Sequence, residues 1–173
     1  MGKSGHKGKN KDRDKVKTNA MRFLDTHNAE YSVLTYECDE FHDGVTIART
    51  LNIPEEQTFK TLVTVGKSGE HYVFVVPVAG ELDLKKCASA VGEKSVEMIN
   101  VNTITDVTGY IRGGCSPIGM KKSFRTVIDD SAQNHEKIFF SGGKRGVQIC
   151  MSPTLLADLI NADFASIQFR EYF

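Results

Sequence analysis

The sequence predicts a single α/β domain of the α+β kind, in which helices flank a mixed and largely antiparallel sheet. Its 173 residues suit one globular domain with a core of ordinary size. Its apolar and charged fractions, 40% and 25%, are close to those of an average soluble protein. Strand patterns mostly follow strand patterns, with helices placed irregularly between them, which argues against a doubly wound parallel sheet.

The first half of the predicted domain contains two helices and three strands. Apolar residues at helical spacing, such as Ala20, Phe23 and Leu24, and runs of β-branched and aromatic residues indicate the element types. In chain order we expect a helix capped by Thr18 or Asn19, a strand at 31–36, a helix at 43–51 that stops before Pro54, and strands at 58–65 and 71–78 joined by a turn at 66–69.

The second half contains short elements separated by glycine-rich or acidic turns. Asp83 and Gly92 bracket a helix at 84–91, because aspartate caps helix starts and glycine ends helices. The remaining elements are a strand at 96–99, a helix at 102–107 closed by Gly109, strands at 126–129, 137–141 and 147–151, a helix at 155–161 preceded by Ser152 and Pro153, and a last edge strand at 167–169.

The zero net charge conceals an uneven distribution along the chain. Residues 1–17 hold seven Lys and Arg against two Asp, a net +5, so the remaining residues carry 15 basic and 20 acidic side chains, a net −5. Because residues 1–17 are almost devoid of apolar side chains, we expect a basic, disordered tail before a domain at 18–173. The tail is either an electrostatic tether for RNA phosphates or a solvated extension, and both interpretations stay open.

Several classes of protein are disfavoured by what the sequence lacks. No apolar run is long enough to span a bilayer and the N-terminus does not resemble a secretory signal, so we expect a cytoplasmic protein with no membrane partner. The four cysteines, Cys38, Cys87, Cys115 and Cys150, stand far apart, and the five histidines do not cluster. We therefore expect no metal site, no disulfide framework and no cofactor.

Lys60 is the first residue of chemical interest. It lies inside an apolar strand pattern, where period-two alternation places it on the face opposite Phe59 and Val63. A lysine in such a strand lies either on a solvated face or in a pocket. The pattern alone leaves both interpretations open, and the solvated face is the commoner case.

A glycine-rich loop, Gly-Gly-Cys-Ser-Pro-Ile-Gly, occupies residues 113–119. Its paired glycines allow close backbone approach, so several N–H groups can point at an oxyanion or a phosphate, although an ordinary tight turn is the simpler interpretation. The loop is not a phosphate-binding P-loop, because Met120 stands where that motif requires lysine. Cys115 is a weak candidate nucleophile, since no histidine lies near it in the sequence.

A second glycine-rich turn, Ser-Gly-Gly-Lys-Arg-Gly, occupies residues 141–146 between two predicted strands. The adjacent cations Lys144 and Arg145 suit phosphate binding. A solvated hairpin turn has the same composition, so this signal is weak when it is taken alone.

Taken together, these segments resemble the YbaK/EbsC family of prolyl-tRNA editing domains. The resemblance extends from about Ala20 to Ala165 and depends on five blocks in the family's order, at 58–62, 77–86, 108–110, 113–119 and 141–146. It implies the YbaK/ProX editing-domain fold, in which the mixed sheet is strongly curved.

The resemblance also implies roles for individual residues. Lys60 would be the catalytic lysine, close to the aminoacyl ester and to the 3′-terminal adenosine of the tRNA. The implied substrate pocket consists of Tyr36, Gly113, Gly114, Cys115, Ser116 and Ser141. The implied tRNA phosphate contacts are Lys121, Lys122, Lys144 and Arg145.

The function implied by the resemblance is trans-editing: the removal of cysteine from mischarged Cys-tRNA(Pro), in which the substrate's own thiol attacks the ester. The implied partners are this tRNA and prolyl-tRNA synthetase, but not DNA. Three features depart from the family pattern: Gln148 replaces an expected acidic residue, Cys115 replaces a small aliphatic residue, and the segment at 38–44 is short.

The sequence leaves three alternatives open. In the first alternative, the pocket removes alanine or another small amino acid from tRNA(Pro), which requires an attacking water. In the second, the protein is a non-catalytic module that binds aminoacyl-tRNA or a synthetase. In the third, it is a plain RNA-binding protein that uses its tail.

Overall fold

The structure, a computed structural model, describes residues 17–170. The predicted tail at 1–17 lies outside the described residues apart from Lys17, whose ammonium group contacts the carboxylate of Asp25. The boundary between tail and domain therefore stays a prediction. None of the helices within the described range is long and apolar enough to cross a membrane.

The described chain alternates short helices and strands. The helices are α1 (Asn19–Thr26), α2 (Gly44–Leu51), α3 (Leu84–Val91), α4 (Ile104–Thr108) and α5 (Pro153–Ile160). The strands are β1 (Ser32–Thr35), β2 (Phe59–Gly66), β3 (His71–Pro77), β4 (Val96–Met98), β5 (Arg125–Asp129), β6 (Ile138–Ser141), β7 (Val147–Met151) and β8 (Asp163–Ala165). Single turns of 3₁₀ helix lie at Glu55–Gln57, Val101–Thr103 and Asp130–Asn134.

Local sequence signals determine most of the helix ends. The Thr18 hydroxyl accepts a hydrogen bond from the backbone N–H of Met21 (3.2 Å) and so caps α1. Asp83 caps α3, which ends at Gly92 with a φ of +73°. Ser152 caps α5 in the same way as Thr18 caps α1. These ends lie within two residues of the predicted ones.

The strands form two sheets that meet along one seam. One sheet has the order β1-β7-β6 and is antiparallel throughout, whereas the other has the order β4-β2-β3-β5-β8 and is parallel only at β3-β5 and β5-β8. An isolated parallel bridge between Thr58 and Phe139 connects the two. The predicted mixed, largely antiparallel arrangement with flanking helices is confirmed, and its division into two sheets is an additional finding.

The hairpin of β2 and β3 separates two apolar clusters. Phe59 and Val75 belong to the larger cluster, which also contains residues of α1, α5 and the three-stranded sheet. Phe74, the neighbour of Val75, belongs to the smaller cluster with Cys87 of α3. Successive strand residues point to opposite faces, so this hairpin forms the middle layer of the domain.

The last strand differs from the sequence prediction. β8 spans Asp163–Ala165, whereas the expected strand at 167–169 forms only an isolated bridge between Leu82 and Gln168. The backbone N–H of Ile167 donates to the Asp129 carboxylate (3.1 Å) and is not available to pair with another strand. β8 was not predicted because Asp and Ala are poor strand formers.

The Asp129 carboxylate fastens this C-terminal segment to the end of β5. It is fully buried and accepts hydrogen bonds from the N–H and hydroxyl of Ser131, the N–H of Ile167 and the side-chain amide of Gln168. Burial opposes its charge, but the hydrogen bonds from Ser131, Gln168 and Ile167 outweigh this effect and lower the pKa of the Asp129 carboxyl.

Replacing Asp129 with Asn is expected to lower the free energy of unfolding at pH 7 by about 2 kcal/mol, because an amide NH₂ would then face hydrogen-bond donors. A lowered native pKa stabilises the fold above the unfolded pKa of about 4, and this contribution disappears as the pH falls through the native value. The difference in the free energy of unfolding between the wild type and Asp129→Asn should therefore shrink in acid. Urea unfolding at several pH values measures it.

The matched control for this experiment is Asp130→Asn, because Asp130 is only half-buried and faces Arg170 across 3.5 Å. We expect this variant to change stability by less than about 0.5 kcal/mol at every pH. Equal losses in the two variants would show that Asp129 has no special role.

Candidate active site

A cleft of about 570 Å³ opens where the two sheets meet. Its walls come from β2, from the chain before and within α2, from the turn after β4, and from the loop that follows Ile111. The lining residues are Phe41, His42, Asp43, Gly44, Val45, Ile47, Thr58, Phe59, Lys60, Thr61, Leu62, Val63, Val78, Met98, Ile99, Val101, Ile104, Arg112, Gly113, Cys115, Ser141 and Gln148.

The seam between the sheets brings Lys60 and Ser141 into this cleft. The parallel bridge joins Thr58 to Phe139, and two residues further along each strand come Lys60 and Ser141. Ser141 is the cross-strand partner of Gln148 on β7, so these two side chains lie on one face of their sheet. Three polar residues from two distant parts of the sequence therefore line a single cleft.

Lys60 is a half-buried cation that forms no ion pair with any residue the structure describes. Burial lowers the pKa of the Lys60 ammonium group, and the negative charges of Glu81 and Asp43 partly oppose this effect. An unpaired and partly desolvated cation is available for the negative charge of a ligand, which makes Lys60 a candidate functional residue.

The loop at 111–119 has a fixed conformation. The Tyr110 hydroxyl donates to the carbonyl oxygen of Ile118 (2.7 Å) and closes its ends. The N–H of Gly114 donates to the carbonyl of Ile111 (2.9 Å), whereas the N–H groups of Gly113 and Cys115 have no acceptor among residues 17–170. Two residues that line the cleft therefore carry backbone N–H groups without an acceptor in the described part of the chain.

Gly113 cannot easily be replaced in this loop. Its φ is +82°, and an added Cβ would lie 3.0 Å from the ring of Phe41. Glycine is thus required both by the left-handed backbone conformation and by the approach of the aromatic ring.

Cys115 lines the cleft as a protonated thiol. Burial raises its pKa to about 12, and an interaction with the Thr108 side chain only partly offsets this effect. Because the thiolate is the nucleophilic form, the environment of Cys115 disfavours nucleophilic catalysis.

Three of the predicted pocket residues, Tyr36, Gly114 and Ser116, are not among the residues that line the cleft. Burial raises the pKa of the Tyr36 phenol, and interactions with Gly146 and with the Gln148 side chain partly lower it. Gly114 is buried, and a Cβ there would lie 3.2 Å from the backbone of Arg145. Ser116 is fully buried, and its hydroxyl has no hydrogen-bond partner among the described residues.

The four cations predicted to contact phosphate lie outside the cleft lining. The Arg145 guanidinium donates to the carbonyl of Arg112 (3.0 Å) and ties the turn at 141–146 to the loop at 111–119. The Lys121 ammonium lies 3.4 Å from the carbonyl of Asp106. Lys122 and Lys144 are exposed. The role of these four cations in binding tRNA phosphates stays a prediction.

The residues at the mouth of the cleft were not predicted from the sequence. The Arg112 guanidinium carbon lies 4.1 Å from the centroid of the Phe41 ring. Phe41, Met98 and Val101 are each more than 40% exposed, although they are apolar. The signal available in the sequence was Phe41 itself, an aromatic residue isolated in the polar segment at 37–43.

Comparisons with known proteins identify the family. A family model described as the aminoacyl-tRNA editing domain matches residues 40–159, more than half of the chain. The chain belongs to the aminoacyl-tRNA editing domain family. The EbsC protein of Enterococcus faecalis, which is assigned as a Cys-tRNA(Pro)/Cys-tRNA(Cys) deacylase, is 44% identical over 162 residues, which make up 93% of this chain and 99% of EbsC. The resemblance inferred from the five sequence blocks is thus confirmed.

Other relatives of this editing domain include part of a synthetase and two solved structures. A proline–tRNA ligase of Brachyspira hyodysenteriae is 31% identical over 85 residues, which cover 48% of this chain but only 15% of the ligase. A protein assigned as a trans-editing enzyme for prolyl-tRNA synthetase has a TM-score of 0.78 at 23% identity, covering 90% of this chain and 99% of its own. The hypothetical protein APE2540 has a TM-score of 0.81 at 20% identity, covering 88% of this chain and 100% of its own. At such identities these structures establish the shared fold alone.

Proposed function

We propose that this editing domain is a trans-editing deacylase that removes cysteine from mischarged Cys-tRNA(Pro). The observation that carries the proposal is the Lys60 cation, which has no ion-pair partner within residues 17–170 and lines the cleft of an aminoacyl-tRNA editing domain together with Gly113 and Cys115. The choice of cysteine is supported by the 44% identity to a protein assigned as a Cys-tRNA(Pro)/Cys-tRNA(Cys) deacylase.

The proposed reaction requires no nucleophile from the protein, because the aminoacyl ester is already activated and cysteine brings a thiol. The thiol loses its proton and the sulfur attacks the ester carbonyl carbon. The bond between that carbon and the ribose oxygen then breaks, the ribose oxygen takes up a proton, and the amino acid leaves as a thiolactone that water later opens. Holding the sulfur and the carbonyl together supplies much of the rate enhancement.

The protein's own contribution is electrostatic. Lys60 would stabilise the negative charge that develops on the carbonyl oxygen or on the departing ribose oxygen. The N–H groups of Gly113 and Cys115, which have no acceptor in the described chain, would share that charge. Ser141 would position the aminoacyl end beside Lys60.

Replacing Cys115 with Ala is expected to leave the rate of cysteine release within about threefold of the wild type, because a buried thiol with a raised pKa is not a nucleophile. Single-turnover deacylation of Cys-tRNA(Pro) measures this rate. A hundredfold loss at an unchanged melting temperature would instead identify Cys115 as the nucleophile.

The tRNA would approach the mouth of the cleft. Arg112 stacked on Phe41 offers a cation and an aromatic face, which suit the phosphates and bases of a single-stranded 3′ end. We propose Lys121, Lys122, Lys144 and Arg145 as further phosphate contacts. The net −5 charge of residues 18–173 favours weak, salt-sensitive binding, so prolyl-tRNA synthetase is the proposed source of tRNA selectivity. A translation-editing enzyme of this kind would act in the cytoplasm.

Deacylation of Cys-tRNA(Pro) and Ala-tRNA(Pro), measured side by side with and without prolyl-tRNA synthetase, tests this proposal. We expect rapid release of cysteine and slow release of alanine. Preferential release of alanine would assign the protein to a sister editing specificity. Retention of aminoacyl-tRNA without release under either condition would make it a binding module.

A further inference from the structure

Gln148 presents a buried carbonyl oxygen that no group of the described chain satisfies. Its side chain is only 5% exposed and lines the cleft, and its Oε1 atom lacks a hydrogen-bond partner among residues 17–170. Buried amide oxygens in folded proteins are nearly always hydrogen-bonded, so an orphan that lines a cleft indicates a ligand.

The surroundings of Gln148 leave one end of its side-chain amide free for a ligand. Its cross-strand partners are Leu34 on β1 and Ser141 on β6. Interaction with the Gln148 side chain partly lowers the pKa of the Tyr36 phenol, so one end of the amide faces Tyr36. The opposite end is therefore left for a ligand, and a ligand that only donates hydrogen bonds would select the orientation with the carbonyl oxygen outward.

An aminoacyl ester carries one group that fits this requirement. Its α-ammonium group has three N–H donors and no acceptor, whereas its ester oxygens are acceptors and match Lys60 and the loop N–H groups. The α-ammonium lies one carbon away from the reacting carbonyl. Gln148 is the cross-strand partner of Ser141, and both residues line the same cleft as Lys60, so one ester bound in the cleft is placed between Gln148 and Lys60.

A neutral side chain has an advantage at this position. A carboxylate at position 148 would be buried and would attract the Lys60 ammonium, and the resulting ion pair would use up the charge needed by the oxyanion. Burying such a carboxylate would also be costly. The amide of Gln148 accepts a hydrogen bond while leaving Lys60 unpaired.

The chief competitor for the α-ammonium group is Asp43, which also lines the cleft. Its carboxylate caps α2 by accepting a hydrogen bond from the N–H of Thr46 (2.8 Å), and it is exposed to solvent. Asp43→Asn removes the charge and preserves the cap, because Asn is as good a capping residue as Asp. The two candidates can therefore be separated by mutation.

We infer that the Gln148 carbonyl oxygen accepts a hydrogen bond from the α-ammonium group of the bound aminoacyl ester, and thereby selects substrates with a free α-amino group. Gln148 is in this account a specificity-determining residue. The inference rests on the proposed function, since it assumes an aminoacyl ester in the cleft.

The test compares Cys-tRNA(Pro) with 3-mercaptopropionyl-tRNA(Pro), which has the same thiol and ester but lacks the α-amino group. The measured quantity is the ratio of kcat/KM for the two substrates. Comparing this ratio between the wild type and each variant cancels the intrinsic difference in reactivity between the two substrates. In Gln148→Met the preference for Cys-tRNA(Pro) is expected to fall by about ten- to a hundredfold, because hydrogen bonds to charged groups contribute this much.

Two further variants complete the experiment. Gln148→Glu keeps an acceptor and is expected to retain the preference for the α-amino substrate, although pairing of the new carboxylate with Lys60 should lower kcat/KM for both substrates. Asp43→Asn is expected to retain it too. Thermal melting of each variant monitors the fold.

The remaining outcomes overturn the inference. Equal losses on both substrates in Gln148→Met would indicate a structural role, and no loss on either would indicate no role. A preference lost in Asp43→Asn and kept in Gln148→Met would assign the α-ammonium group to Asp43. If the wild type releases no cysteine at all, the proposed function itself fails and the inference fails with it.

Discussion

A Lys60→Met variant is expected to lose at least about a hundredfold in kcat/KM for Cys-tRNA(Pro), because removal of one preorganised group that stabilises transition-state charge costs this much. Its melting temperature should stay at or above that of the wild type. Methionine preserves the packing of the side chain and removes a half-buried charge that has no ion-pair partner in the described chain. Deacylation kinetics and thermal melting measure the two effects.

The matched control is Lys67→Met, which removes an exposed lysine from the turn after β2. It should change neither the rate nor the melting temperature appreciably. A Lys60 variant that deacylates at the wild-type rate contradicts the proposed role. A lower rate accompanied by a lower melting temperature would make Lys60 a structural residue.

The second large effect concerns the substrate. Cys-tRNA(Pro) is expected to be deacylated at least about a thousandfold faster than Ser-tRNA(Pro), because effective molarities of intramolecular nucleophiles are very high and the hydroxyl is a poor nucleophile. Serine differs from cysteine only by oxygen in place of sulfur, so both should fit the cleft. Single-turnover kinetics give the ratio.

Mass spectrometry of the quenched reaction provides an independent readout of the same prediction. Attack by the substrate's sulfur forms a thiolactone before free cysteine accumulates, whereas attack by water yields cysteine directly. Comparable rates for the two substrates, with no thiolactone at early times, would replace the thiol-dependent route with hydrolysis.

Sequence patterns predicted the helices and the hairpin well because their signals are local. Asp83 and Gly92 mark the two ends of α3, and the alternation along β2 and β3 marks their faces. β8 was missed because its pairing with β5 is between segments distant in the sequence, and its residues have no strand preference of their own. The division into two sheets is likewise a tertiary property.

The candidate site was predictable only in part, and mostly through family resemblance. Lys60, Gly113, Cys115 and Ser141 do line one cleft, which no spacing rule would have shown. Gln148 stood out in the sequence only as a departure from the family pattern. Its free carbonyl oxygen became visible only when strand pairing placed it beside Ser141.

The most direct test of the account is multiple-turnover release of cysteine from Cys-tRNA(Pro), with the protein present in substoichiometric amount. We expect the wild type to discharge all of the substrate and Lys60→Met to discharge it at least about a hundredfold more slowly. Failure of the wild type to release more than one equivalent of cysteine, with or without prolyl-tRNA synthetase, would contradict the account.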